Sequence, residues 1–324
     1  MKTVKTLHSI PCIVLISILS GCMLCSCGKL SSSNAVSQIS DAATPSSAAR
    51  GTRDNTPVCL VPSAPGTVVY QNEVAVIDAS NAADGYIMVR YTGQNAKVKL
   101  QITGSDQVTY TYDLKTGSST DEVFPLSAGD GQYLINVYEN ISSNQYSTAF
   151  SQAIDVRLSN QFLPFLYPNQ YVSFDSSSAA VAKASELAVS ADTDLDVVTS
   201  VYDYIISNIT YDYNEADTVQ SGYIPDVDEV LSTRTGICLD YAALMTAMLR
   251  SQQIPTRMEV GYAGTAYHAW ISTYIKDVGW VNGIIKFDGK NWSLMDPTFA
   301  STTSEKELKS FISDSSNYRL KYIY

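Results

Sequence analysis

A chain of 324 residues with 32 Asp and Glu against 21 Lys and Arg carries a formal charge of −11 at neutral pH. That balance excludes nucleic-acid binding through the net field and favours solubility, and the length is enough for two domains, each able to bury a core. With two histidines and six cysteines, the candidates for nucleophilic or metal chemistry can be weighed one at a time.

Lys2 and Lys5 precede an apolar run from Ile10 to Leu19, which ends in Leu19-Ser20-Gly21-Cys22. A basic end, a short apolar centre and a small-residue cleavage site read as a secretory signal over residues 1–21, and the run is too short for a typical spanning helix. Its last four residues resemble the bacterial lipoprotein signal. That resemblance implies cleavage before Cys22, lipid on this residue, and an extracytoplasmic protein anchored to a bacterial membrane. His8 and Cys12 leave with such a signal.

Residues 22–57 then form the lipid anchor and a flexible tether. From Ser31 to about Thr56 the chain is mostly Ser, Ala, Asn and Thr, with too little apolar surface to offset the entropy of ordering. Cys25 and Cys27 lie at the tether base and Cys59 just past its end. Disulfide pairing among them is open outside a cell, but three cysteines cannot all pair within the group.

Between residues 58 and 160 short alternating runs are separated by turn residues. The clearest are Gly85–Tyr91, Lys97–Ile102, Gln107–Tyr112, Gly131–Tyr138 and Ala153–Leu158. Strands at this spacing predict an antiparallel β-sandwich of the immunoglobulin or fibronectin kind. It contains no catalytic constellation and reads as a spacer or platform. Around residues 163–175, Pro164 and Pro168 with Phe162, Phe165, Tyr167, Tyr171 and Phe174 suggest a linker packed on a neighbouring domain.

Helical signals follow. Residues 176–191 are rich in Ala and Ser, and Leu195, Val198, Tyr202, Ile205, Ile206 and Ile209 form an apolar stripe at helical spacing. Tyr202, Tyr204, Tyr211 and Tyr213 are candidates to line a cleft, although a stripe of this kind is ordinarily core. Asp192, Asp194 and Asp196 alternate as in a calcium loop, but Val197 stands where such a loop needs glycine and Asp203 where it needs glutamate. They read as the start of a helix, and no calcium dependence, metal or other cofactor is predicted. Asp226 or Asp228 caps a short helix ending near Leu231.

The chemistry gathers between Arg234 and Phe299, in Thr235-Gly236-Ile237-Cys238-Leu239-Asp240-Tyr241-Ala242, Tyr267-His268-Ala269-Trp270 and Leu294-Met295-Asp296-Pro297-Thr298-Phe299. A thiol attacks as its thiolate, which a helix N-terminus or a neighbouring imidazolium favours. Gly236 permits a tight turn, and Ala242, Met245, Met248 and Leu249 recur at helical spacing. Cys238 therefore opens a buried helix, with free backbone N–H groups beside its sulfur that also suit an oxyanion. The residues around His268 read as a strand on which His268, Trp270 and Ser272 share a face. Asp296 closes another strand-like run, from which a carboxylate can orient the imidazole. The intervening residues 277–290 read as a looped insertion, 306–312 as a short helix and 319–324 as a final strand. Singly, a buried Cys, a lone His and an Asp before Pro are usually structural.

Together the motifs resemble the transglutaminase-like superfamily, relatives of papain-type cysteine peptidases. The resemblance covers roughly Tyr202 to Ala300 and implies an α+β domain over residues 161–324, with Cys238 as nucleophile, His268 as base and Asp296 as orienter. Animal members place a tryptophan upstream of the cysteine to help bind the oxyanion. Here Trp270, Trp280 and Trp292 all follow Cys238, and Tyr223 is the nearest upstream aromatic to take that role. The activity implied is attack on an amide of a peptide, protein or cell-wall substrate through a thioester. Hydrolysis is preferred; cross-linking acyl transfer and a non-catalytic binding module are the alternatives.

Overall fold

The computed structural model describes residues 49–282, 284–287, 292–295 and 318–324. From Ser47 to Tyr324 the chain forms one compact unit.

Its first part is strand-rich. The strands are β1 (Val69–Gln71), β2 (Ala75–Asp78), β3 (Tyr86–Tyr91), β4 (Val98–Thr103), β5 (Thr109–Leu114), β6 (Glu122–Pro125), β7 (Gly131–Ser142) and β8 (Gln145–Val156). They build two four-stranded antiparallel sheets in the orders β1-β2-β3-β6 and β5-β4-β7-β8. Side chains alternate across a strand, so Val98, Leu100 and Ile102 are buried while Lys99, Gln101 and Thr103 reach toward solvent. Tyr112 of β5 meets Phe124 of β6 edge to face with ring centroids 4.9 Å apart, which joins the inward faces of the two sheets. The alternating runs seen in the sequence lie in β3, β4, β5, β7 and β8. Three further strands, β1, β2 and β6, are only three or four residues long, too short to show a period.

The residues just before these sheets differ from the tether expectation. Arg53 donates to Asp194 at 2.7 Å and to the Gln252 carbonyl at 2.5 Å, Thr52 to Asp192 at 2.8 Å, and the Val58 N–H to the Ser251 carbonyl at 2.8 Å. Composition misses this because one arginine and a few backbone groups, not apolar area, hold the segment. The same contacts occupy Asp192 and Asp194, while Asp196 completes a capping box with Thr193.

Next come α1 (Ala179–Ala188), α2 (Asp194–Asn208), β9 (Thr210–Tyr211), α3 (Tyr213–Thr218), α4 (Val227–Thr233), β10 (Thr235–Gly236) and α5 (Cys238–Ser251). Asp226 caps α4 by accepting from the N–H groups of Asp228 and Glu229. Helix α5 is buried on every side from Asp240 to Ser251, so it is the central element and packs against α1, α2, α4 and the following sheet. That sheet contains β11 (Thr256–Ala263), β12 (Ala266–Ile275), β13 (Gly279–Asn282) and, after the pair β14 (Ile284–Phe287) and β15 (Trp292–Met295), β16 (Tyr318–Ile323). Its order is β13-β12-β11-β16. The stretch 277–290, read as a loop from its glycines, instead contributes β13 as an edge strand and β14 as half of a hairpin. The expected helix at 306–312 lies outside the described residues.

Arg250, 1% exposed at the end of α5, donates to the carbonyls of Thr256 at 2.9 Å, Tyr167 at 2.6 Å and Tyr324 at 2.7 Å. Burial pulls its pKa down to about 9, so it remains a cation at neutral pH. Arg250→Met should cost roughly 3 kcal/mol by leaving the Thr256 and Tyr167 carbonyls without this donor, while the Tyr324 oxygen keeps the Met258 N–H. Urea unfolding measures the loss, and Arg250→Lys should recover only part of it because an ammonium lacks the planar fork.

Candidate active site

Cys238 is the first residue of α5 and is half-buried. The turn leading to it is fixed by Asp240, whose Oδ2 accepts from the Ile237 N–H at 2.8 Å. A Cβ at Gly236 would sit 2.7 Å from the Asp240 Cβ. Glycine is required there for that close approach, while the left-handed backbone belongs to Arg234, at φ 59°.

His268 lies on β12, 6% exposed, and lines the same cavity as Cys238, a cleft of about 480 Å³. The helix and the strand thus bring the thiol and the imidazole to one cleft. On the neighbouring strand Gly261 stands opposite His268. Trp270 packs beside the imidazole with centroids 6.2 Å apart and planes inclined by 24°. Asp296 and Cys22 lie outside the described residues.

Tyr223 also lines the cleft, but its hydroxyl donates to Asp240 Oδ1 at 2.9 Å. Burial and the Asp240 charge push its pKa far above the usual tyrosine value, so it stays a donor. The phenol beside Cys238 in the cleft is Tyr211, and burial first, then the Cys238 charge, pushes it up to about 12. A two-residue parallel pairing of β9 with β10, Gly236 opposite Tyr211, puts it there. The sequence names Tyr211 only as one of several candidate cleft tyrosines, because a two-residue parallel pair leaves no periodic pattern.

Cys59, the other described cysteine, is a free thiol whose pKa is raised by burial and then by nearby Asp175, the opposite of activation.

Residues 181–283 match the model of the transglutaminase-like superfamily. The chain therefore carries a transglutaminase-like domain, an α+β unit preceded by many strands. It is 25% identical over 192 residues to the uncharacterized protein YebA of Bacillus subtilis, a match covering 52% of this chain and 26% of that protein. The chain spans about a quarter of the length of the curated relatives it matches. Among solved structures, it overlaps a candidate cysteine protease from Cytophaga hutchinsonii at TM-score 0.33 and 19% identity, covering 72% of this chain and 69% of that one. It overlaps red sea bream transglutaminase at TM-score 0.25 and 14% identity, covering 67% and 48%. The match over 181–283, not these overlaps, carries the assignment.

Asp240 is fully buried, and burial raises its carboxyl to about 6, while the Ile237 N–H and the Tyr223 hydroxyl pull the other way. The folded state therefore takes up a proton at a higher pH than the unfolded chain, whose carboxyl titrates near 4. This contribution to stability is fully present below about pH 4 and is lost as pH rises through about 6, a change on the order of 2–3 kcal/mol. Asp240→Asn keeps an oxygen for the Ile237 N–H and an amide for the Tyr223 oxygen. Thermal melts across this range should show that it flattens the pH dependence and is no less stable than the parent near pH 7.

Proposed function

We propose that the protein is a cysteine-dependent hydrolase of amide bonds in peptide, protein or cell-wall substrates, working through a thioester. The observation that carries this reading is the meeting of Cys238, at the start of a buried helix, and His268, on an adjoining strand, in one cleft within the transglutaminase-like domain. In this reading His268 takes the thiol proton and the Cys238 sulfur attacks the carbonyl carbon. The tetrahedral oxyanion is met by the Cys238 backbone N–H and the Tyr211 hydroxyl, which share the cleft. The C–N bond breaks as His268 returns the proton to the departing amine. Water, deprotonated by His268, then cleaves the thioester and restores the thiol. Asp296 is assigned the orienting role on its motif.

The reading extends to the rest of the chain. Lipid on Cys22 holds the enzyme outside a bacterial cytoplasm on a membrane, through a tether within residues 22–57 that stops short of the segment docked from Gly51 onward. Residues 58–160 form an immunoglobulin- or fibronectin-like platform and residues 161–324 the catalytic domain.

Peptide mapping after brief iodoacetamide treatment near neutral pH should find Cys238 modified before Cys59. His268→Ala should slow that modification about tenfold or more, and Tyr211→Phe should lower amidase turnover about tenfold to a hundredfold with little change in KM. Equal modification of both cysteines, indifferent to His268, would favour a binding module. Incorporation of a tagged amine into a glutamine peptide, lost in Cys238→Ala, would replace hydrolysis by cross-linking transfer.

A further inference from the structure

The tryptophan of the His-Ala-Trp motif has no part in the steps above, yet its indole is tied to a buried acid. Strand register sets Glu259 of β11 opposite Trp270 of β12, and Gly261 opposite His268. The Trp270 Nε1–H donates to Glu259 Oε2 at 2.7 Å. On its other side the indole meets Tyr318 of β16 edge on, at 5.1 Å between centroids. No side chain of β11 stands directly across from the imidazole, since that position is glycine.

Glu259 is 6% exposed. Burial raises its carboxyl, and Ser272, Trp270 and the Arg257 charge pull it back. A buried acid in a strand core is expensive, and a well-packed apolar residue there would usually stabilise at least as well. Arg257 itself lies over the Trp280 ring at 3.7 Å and does not form a described ion pair with Glu259. The acid's best-defined effect is geometric: it fixes the tilt of the indole, and the indole packs on the imidazole.

We propose that Glu259 is a positioning residue that, through the Trp270 indole, holds the His268 ring in the orientation from which it serves Cys238. The proposal rests on His268 acting as the base for that thiol.

The test uses the full chain. The His268 ring-proton resonances are assigned against His268→Ala, and iodoacetamide modification of Cys238 is timed in parallel. Glu259→Leu should shift the His268 resonances and slow Cys238 modification about tenfold, as loss of alignment at a reacting pair does. Glu259→Gln, whose amide oxygen still accepts from the indole, should keep both near the parent. If Glu259→Leu does not fold, Trp270→Phe, which keeps a ring but loses the N–H, should produce the same slowing. Unchanged His268 resonances in a folded Glu259→Leu protein, or unchanged modification in Trp270→Phe, would overturn the proposal. If His268→Ala is modified as fast as the parent while Glu259→Leu still shifts the His268 resonances, the restraint stands and the thiol–imidazole reading falls.

Discussion

A guanidinium buried at the end of the central helix holds the domain together. Arg250 has carbonyl partners in the linker, at the start of β11 and at Tyr324 beyond β16, segments far apart in sequence. A cation at a helix C-terminus also suits the helix dipole. Its planar fork supplies a donor to each of three oxygens, of which the Tyr324 oxygen also accepts from the Met258 N–H. The clamp therefore fixes the cysteine helix against the histidine-bearing sheet from the end opposite the thiol.

At the thiol end the same helix is set by an acid. Asp240 accepts from Ile237 and Tyr223, tying the turn before Cys238 to the segment that walls the cleft. The β9–β10 pairing adds Tyr211 from the other direction. Polar groups in and around this cleft are thus largely engaged with one another, which is how a low-dielectric site keeps a fixed geometry.

The strand-rich region and the helical region share one continuous core. Tyr324 packs against Tyr110, Tyr112 and Tyr171, so rings from β5, the linker and the chain's last residue converge. The linker is held further along by Phe162 and Phe165, which lie against Tyr274 and Trp280. The strands of the first two sheets brace the linker and Tyr324, both of which Arg250 clamps, and through them the sheet that carries His268.

Much of this was legible in the residues. Alternation marked the longer strands, because one buried face imposes a period of two, and the apolar stripe marked α2. The Cys and His motifs stand on the helix and strand their neighbours predicted, since local propensity and burial agree there. Strands of two to four residues, the ordering of residues 49–57 by Arg53, and the strand character of 277–290 were not legible, because each depends on partners distant in sequence. The chain alone determined which thiol and which imidazole are available. Only the tertiary structure decided that they line one cleft, that Tyr223 donates to Asp240 while Tyr211 stands opposite Gly236 beside the thiol, and that Glu259 lies behind Trp270. Register between strands and the docking of a helix end are set by long-range packing, which no local run of residues encodes.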